Sequence, residues 1–386
     1  MKIISLVVLV FFSSCLATAS LTGQEKDLSG IELSIDQDYL VDMFRNGPVH
    51  DRNFAIGLRI GFYGTYADHI YLGLPFVRQK IDGFLIDRLL YSSGFREENT
   101  SHNFVFTVNG FSPSHISNEI VEFQQALDDG YRLGYDRPFS SFTGFRSTRR
   151  VQGNKLFVHT TRQLDLAINT SFTFGLASLG LAHGVEDSFG RNRPDGNLWN
   201  NDETMPYPTG QLMPKAFPIL MYSVSIEAVV WKPIKKILLQ VRPEVNLGYY
   251  TNIGVGIDFG KVMNVERHID NLSYTDTNNP SLLVVNDDNL GFSLVGGITA
   301  RAVLYNGHLN GLYNGNDGHF YSLGETKTLM AEAYIGTKIQ LFKKIELSFC
   351  VNGRTSEFSA PNNGTTWWGT FGMKYLMAPE GEGCYN

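Results

Sequence analysis

Apolar and polar residues alternate along many segments of this chain. The clearest alternation runs from Val245 to Gly260, where one set of positions is branched or aromatic and the other is mostly small or polar. A period of two residues predicts a β-strand with one apolar face and one small or polar face. The run is longer than the usual strand of a globular domain, roughly five or six residues, and suits a tilted strand that crosses a membrane.

The same alternation recurs over the rest of the chain. Besides a first strand around Asp36, it predicts strands at 54–62, 104–108, 139–145, 155–161, 164–174, 222–230, 236–242, 292–304, 329–342, 345–351 and 367–377. About a dozen amphipathic strands is a normal number for a bacterial outer-membrane barrel. The sequence therefore predicts an all-β fold, a transmembrane antiparallel β-barrel of about twelve strands, with residues 20–386 as a single domain.

Two segments depart from the strand period. Leu74 to Leu90 and Ile116 to Leu127 have apolar residues at helical spacing, which predicts short amphipathic helices in loops that cap or plug the barrel. Residues 190–216, 270–290 and 310–326 are rich in Asn, Asp, Gly and Pro. We expect these three stretches to be extracellular loops.

The first residues have the pattern of a signal peptide. Lys2 precedes an apolar run over residues 3–12, and Ala17 and Ala19 form a small-residue cleavage pattern. The run is far shorter than the roughly 20 apolar residues that a helix needs to cross a bilayer, so export is favoured over a membrane anchor. Cys15 offers a further alternative, lipid attachment. We expect residues 1–19 to be removed.

Composition narrows the possible partners. The formal net charge is -6, which argues against nucleic acid because a surface that tracks phosphates needs clustered basic residues in excess. The mature chain keeps Cys350 and Cys384, which could pair in an oxidising compartment or remain free thiols, and it has no metal-binding cysteine spacing. The nucleophile elbow, zinc helix and phosphate-binding loop of soluble enzymes are also missing from the sequence.

Several polar motifs follow one another on strand-like segments. They are Asp36-Gln37-Asp38, Asp51-Arg52-Asn53-Phe54, Ser112-Pro113-Ser114-His115-Ile116, Asp136-Arg137-Pro138-Phe139, Arg301-Ala302-Val303-Leu304-Tyr305-Asn306 and Arg354-Thr355-Ser356-Glu357-Phe358. The ordered set resembles the outer-membrane lipid A deacylase family, the calcium-dependent lipid A 3′-O-deacylases. In that family an Asn-Asp pair in strand one precedes an Asp-Arg-x-Tyr-Thr-x-Gly motif. The resemblance covers nearly the whole mature chain, and its specificity lies in the order of the motifs.

The resemblance implies a twelve-stranded barrel in the outer membrane of a Gram-negative cell, with an active site between strands near the outer leaflet. A histidine there would activate water against an ester of lipid A, and calcium would help to stabilise the oxyanion. The expected roles are general base for His183, calcium ligand for Asp38 and support for Gln37. The implied partners are lipopolysaccharide and outer-membrane lipids, and we expect a monomer.

The chain departs from the family pattern where the chemistry is expected. Gln37 stands where the family has Asn, and Ala55 stands where it has the Thr hydroxyl. The segment 175–201 aligns in two registers. One register makes His183 the family histidine, whereas the other places Glu186 at the family's Gln, leaves no histidine, and makes Glu186 the substitute base.

Three functions therefore remain open. The chain is an active lipid A deacylase, a family member that has lost catalysis and serves as a structural or lipopolysaccharide-binding barrel, or a passive pore. The pairs Asp51-Arg52 and Asp136-Arg137 also have a purely structural interpretation, as ion pairs at strand starts. Convergence of Gln37, Asp38 and His183 on the outer-leaflet side would favour the enzyme.

Overall fold

The architecture is seen in a computed structural model. It describes residues 29–37, 56–64, 67, 73–92, 95–111, 140–156, 163–177, 217–234, 237–262, 290–310, 326–342, 344–358 and 365–377. The predicted signal peptide and the predicted helix at 116–127 lie outside these residues.

Twelve antiparallel strands close into a barrel in which each strand pairs with its neighbours in sequence and β1 pairs with β12. This confirms the predicted fold. The strands are β1 (Ser29–Gln37), β2 (Ile56–Tyr63), β3 (Arg96–Phe111), β4 (Ser140–Leu156), β5 (Gln163–Ala177), β6 (Phe217–Ile234), β7 (Ile237–Gly248), β8 (Tyr250–Val262), β9 (Leu290–Asn306), β10 (Leu329–Leu341), β11 (Ile345–Arg354) and β12 (Thr366–Met377). Among the described residues, two helices accompany them, α1 (Leu74–Ser92) and α2 (Gly307–Asn310).

The long alternating run at 245–260 is two strands rather than the single strand that its pattern predicts. It turns between β7 and β8 at Gly248, whose φ is 112°, a conformation open to glycine at no steric cost. The Thr251 hydroxyl accepts a hydrogen bond from the Gly248 N–H at 3.1 Å and donates one to the Gly248 carbonyl at 2.9 Å. Odd-numbered residues face outward on both sides of the turn, so the alternation passes through it unbroken.

The predicted strand count is right although its members differ. The strand expected at 236–242 is the first part of β7. The strand expected at 139–145 is the first part of β4, which continues from Ser140 to Leu156, whereas most of the strand expected at 155–161 lies outside the described residues. Polar residues such as Arg146 and Arg150 interrupt the apolar pattern of β4, since its lumen face is charged.

The barrel has two distinguishable ends. β1 begins and β12 finishes at one end, which we call the terminal end, and we call the other the loop end. Antiparallel order places the connections 178–216 and 311–325 at the loop end. The connection 263–289 joins β8 to β9 at the terminal end, so it cannot share one side of a membrane with the other two. The three stretches expected to be extracellular loops lie almost wholly outside the described residues, and strand order allows at most two of them to share one side of a membrane.

Side chains sort by polarity across the barrel wall. Outward positions of β8 carry Ile253, Val255 and Ile257, which are about half exposed, whereas the inward Asp258 is fully buried. The same division holds around the barrel, where the lumen contains arginines, carboxylates and amides. An apolar exterior and a polar interior are what a barrel needs in a lipid bilayer.

Helix α1 lies against the outside of the barrel. Arg150 and Asn169 bond to each other in the lumen, so the adjacent Arg149 and Thr170 face outward by strand alternation. Arg149 bonds Asp87 of α1, and Thr170 bonds Asp82 of α1. The expectation that this helix caps or plugs the barrel is therefore wrong.

Within the described residues, no helix is long and apolar enough to cross a membrane. The Cys350 thiol is free and buried, whereas Cys384 lies outside the described part of the chain.

Candidate functional site

A polar corner in the lumen is built around Asp36, near the loop end of β1. Its Oδ1 accepts a hydrogen bond from Arg59 of β2 at 3.1 Å and another from the Thr370 hydroxyl of β12 at 2.5 Å. Gly57 faces Asp36 across the β1–β2 pair, and a methyl group there would lie 3.0 Å from Asp36 and from Asn109. Because Gly57 has no side chain, the Asp36 carboxylate has room in this corner.

A second charged group fills the lumen beside strands β7 to β10. Arg242 donates to Glu244 at 2.5 Å and to Asp258 at 3.0 Å. Arg301 of β9 bonds Glu244 and also Glu332 of β10. These residues alternate in charge across neighbouring strands, so each buried charge has an opposite partner.

The two charged groups face a common cavity of about 140 Å³. Five arginines and three carboxylates contribute to its lining together with tyrosine, tryptophan and amide side chains; the charged members are Arg59, Arg146, Arg242, Arg301, Arg354, Asp36, Glu332 and Glu357. Guanidinium groups in a partly desolvated site are strong hydrogen-bond donors to phosphates and to oxygens that develop negative charge. The cavity can therefore hold an anionic or ester-bearing group.

A histidine borders the same cavity. His308 lies on α2, directly after β9, and its ring meets Tyr249 edge-on with centroids 4.9 Å apart. The Tyr249 hydroxyl lies 3.4 Å from His308 Nδ1. Tyr249 itself stands in the turn between β7 and β8, at the loop end. An imidazole beside a phenol can accept or donate a proton, which is the chemistry that ester hydrolysis requires.

The structure places only part of the predicted site. Gln37 is the last residue of β1 and pairs with Gly369 of β12. Asp38, His183 and Glu186 lie outside the described residues, so their predicted roles are untested.

Sequence reasoning missed three residues that the structure brings to the cavity, Asp36, Arg301 and His308. Asp36 and Arg301 stand inside motifs that carry the family resemblance, which was the available signal. His308 had no comparable signal, because it belongs to a glycine- and asparagine-rich stretch that reads as a loop.

The described residues around Asp36 do not form a calcium site. Calcium takes six to eight oxygen ligands, whereas Asp36 already bonds the cationic Arg59. Among the described residues, no group of three His, Cys, Asp or Glu side chains is placed to hold a metal. The expected ligand Asp38 lies outside the described residues.

Comparison with known proteins gives a structural likeness without a sequence match. No family model matches the chain, and no curated protein matches it. LpxR from Salmonella typhimurium superposes with a TM-score of 0.58 at 14% identity, covering 90% of this chain and 100% of that one.

Other bacterial barrels share less of the geometry. The β domain of the Bordetella autotransporter BrkA gives a TM-score of 0.36 at 10% identity, covering 90% of this chain and 99% of that one. OprB from Pseudomonas putida gives 0.29 at 6% identity, covering 92% and 94%. The likeness to LpxR shows the fold, and together with the apolar exterior it identifies this chain as a β-barrel of the outer membrane.

Proposed function

We propose that this protein hydrolyses an ester-linked acyl chain of lipid A at the loop end of the barrel. The observation that carries the proposal is the arginine-rich cavity beside Asp36, in a barrel whose fold is that of LpxR. Lipid A bears phosphates and acyl esters on one headgroup. Arginines bind phosphates as charge-assisted donors, and they also stabilise the oxyanion that forms when water attacks an ester carbonyl.

The proton chemistry falls to a base at the same end. His183 is the proposed general base, and Glu186 replaces it if the segment 175–201 adopts the other register. A neutral imidazole or a carboxylate takes the proton of the attacking water and returns it to the leaving alcohol. Calcium held by Asp38, with Gln37 in support, remains part of the proposal that rests on family resemblance alone.

Mass spectrometry of lipid A from cells that produce the protein tests this function. We expect the loss of one acyl mass relative to an empty-vector control. His183→Ala should abolish the loss if the first register holds, and Glu186→Gln should do so if the second holds. His159→Ala, in the connection at the terminal end, is the matched control and should leave the loss intact.

Two further experiments test whether calcium takes part and which residue is the general base. Chelation of calcium, or Asp38→Asn, should stop the reaction if calcium takes part. His308→Ala should leave it intact if the base lies at 183 or 186, whereas its loss would move the base to α2. Unchanged lipid A from correctly folded, membrane-inserted protein would contradict the hydrolase.

A lipopolysaccharide-binding barrel without catalysis is the second candidate. One observation favours it: the cavity's charges already bond one another, as in Arg242 with Glu244 and Asp258, and Asp36 with Arg59. Lipid A would then keep its acyl chains but copurify with the barrel, and Arg354→Gln would reduce the amount bound.

A further inference from the structure

Helix α1 has its polar side turned toward the barrel. Asp82 is fully buried and accepts hydrogen bonds from Thr170 and from the Tyr222 hydroxyl, both at 2.8 Å. Arg78, four residues earlier, lies 3.1 Å from His102 Nδ1 on β3. These wall residues face outward on their strands, where lipid would otherwise meet them. The helix therefore supplies polar partners to a polar strip on the barrel exterior.

The opposite side of α1 is apolar and uncovered. Phe76, Phe84 and Leu89 are each at least 60% exposed, and Val77 and Leu85 are exposed beside them. Burying an aromatic or aliphatic side chain is favourable by roughly 1.5–3 kcal/mol relative to leaving it in water. A helix with polar residues inward and this many apolar residues outward suits an apolar surrounding medium.

The wall beneath α1 shows that the helix takes the place of lipid. Val151 of β4 faces outward by alternation from Arg150, yet it is only 2% exposed, whereas Ile257 on the outward face of β8 is 47% exposed. Helix α1 contacts β4 and β5 along this part of the wall. Its outer side is thus continuous with the lipid-facing belt of the barrel.

The position of α1 along the barrel indicates which leaflet of the outer membrane surrounds it. The helix lies in the connection between β2 and β3, at the terminal end, where three of the other four connections are short, 157–162, 235–236 and 342–344, and the fourth is 263–289. Bacterial barrels have short periplasmic turns and longer extracellular loops, so the terminal end is periplasmic. The leaflet on that side of an outer membrane consists of glycerophospholipids.

Two cations stand on the lipid-facing side of the helix. Lys80 Nζ lies 5.3 Å from the centre of the Phe76 ring, and the Arg88 guanidinium lies 5.3 Å from the centre of the Phe84 ring. Each pairs an apolar ring, suited to acyl chains, with a cation suited to a phosphate. Long basic side chains at a membrane boundary reach the headgroups while their stems stay in apolar surroundings.

We propose that α1 is a phospholipid-binding helix embedded in the periplasmic leaflet, with its apolar side among acyl chains and Lys80 and Arg88 on headgroup phosphates. The site lies on the outside of the barrel and does not depend on the lipid A chemistry proposed for the lumen.

Photocrosslinking in cells identifies what covers the helix. With benzoyl-phenylalanine at Phe84 in the full-length protein, we expect a phospholipid adduct by mass spectrometry. Ile257 on the lipid-facing belt is the positive control, and Tyr334 in the lumen is the negative control. A protein adduct, a dimer of this chain or a lipopolysaccharide adduct would overturn the proposal. So would the absence of an adduct at Phe84 when position 257 gives one.

Charge removal tests the headgroup contacts. In nanodiscs that contain phosphatidylglycerol, K80Q/R88Q should weaken retention of that lipid about 30-fold, since each basic residue near an anionic surface contributes about fivefold. K327Q/K344Q removes the same charge from exposed positions elsewhere and should retain the lipid. Equal loss in both variants would show general charge attraction and would overturn the site.

Discussion

At the scale of single residues, the lumen is organised by charges that stand on neighbouring strands. Arg301 of β9 bonds two carboxylates, Glu332 on the adjacent strand β10 and Glu244 on β7, which is the next strand beyond β8. A buried ion pair gives little net stability over an apolar replacement, but removing one partner is costly because the other charge is left without compensation. Single substitutions in this group should therefore be more damaging than paired ones.

Arg301→Met should lower the free energy of unfolding by about 3–5 kcal/mol, because Glu244 and Glu332 lose their shared cation. Urea unfolding of the refolded barrel in detergent measures the change. Lys327→Met, at an exposed position, should have little effect. Adding Glu244→Gln to Arg301→Met should recover part of the loss. A single variant as stable as the parent would contradict the pairing.

Gly57→Ala should be destabilising by about 1–3 kcal/mol, the usual range for overpacking. Its methyl group would lie 3.0 Å from Asp36 and Asn109, both fixed in the corner. Gly61→Ala on the same strand is the matched control, since its nearest neighbour is the Tyr63 ring at 3.2 Å. Thermal unfolding should rank Gly57→Ala below Gly61→Ala, and the reverse order would show that the corner can adjust.

Residue identity alone could predict part of this site. The motif Asp36-Gln37-Asp38 indicates a polar position on strand one, but it does not tell which of the three side chains enters the lumen. The alternation of side chains along β1 in the barrel directs Asp36 into the lumen, where its bonds to Arg59 and Thr370 join three strands. Such a contact depends on barrel closure between β1 and β12, which no local pattern contains.

At the scale of elements, α1 shows how a helix can be predicted correctly and placed wrongly. Its apolar periodicity indicates a helix over Leu74 to Leu90, close to the observed Leu74–Ser92. An apolar side suggests a buried side, as in soluble proteins. In this barrel the polar Arg78 and Asp82 are buried, as is Leu74 at the start of the helix. The lipid around the barrel reverses the rule that the apolar side of a helix is buried. A helical pattern in the sequence carries no information about the surrounding medium.

Asp82→Leu should release α1 from the wall. It leaves the Thr170 and Tyr222 hydroxyls without their acceptor and Arg78 without its i, i+4 partner, a loss of about 3–5 kcal/mol for a buried charged group. Tyr222→Phe removes one hydrogen bond and should cost only about 1 kcal/mol. Trypsin cleavage after Arg78, Lys80 and Arg88 in detergent reports the release. Equal protection of both variants would show that apolar contacts alone hold the helix.

The hairpin of β7 and β8 shows a second limit of prediction from sequence, because the alternation of residues does not reveal the turn. The turn leaves odd-numbered residues facing outward on both strands. The outward apolar residues therefore form one continuous alternating series from Val245 through Ile257. The pattern identifies both faces correctly and conceals the turn. Gly248 was the only local signal, and glycine is common throughout this chain.

At the scale of the whole molecule, the barrel is a closed cylinder with a filled interior. Near the terminal end, Lys374 lies 3.5 Å from both Glu32 and Glu346. On the other side of the lumen, Arg150 bonds Glu227 at 2.6 Å. These charged side chains point into the lumen and, apart from the half-buried Glu32, are buried there, so they leave less room for ions than an open pore has.

Planar bilayer recordings should accordingly show no steady open-channel current at moderate voltage. An open porin lumen is water-filled, whereas the described part of this lumen is lined by buried ion pairs. A porin of known conductance, recorded in the same bilayers, is the reference protein. A stable conductance in the range of the reference would favour the passive pore over both lipid A proposals.

The tight turn at Gly248 and Tyr249 makes the rim of the cylinder uneven. β6 continues through Phe217–Leu220 beyond its last pair with β7, at Met221 and Gly248, so the wall steps down at the β7–β8 hairpin. Tyr249 and Tyr250 at this step also line the cavity. An amphiphile anchored by its chains in the bilayer meets a lower wall at the β7–β8 hairpin than at β6. The shape of the wall therefore sets the side from which a lipid approaches the lumen, before any side chain recognises its headgroup.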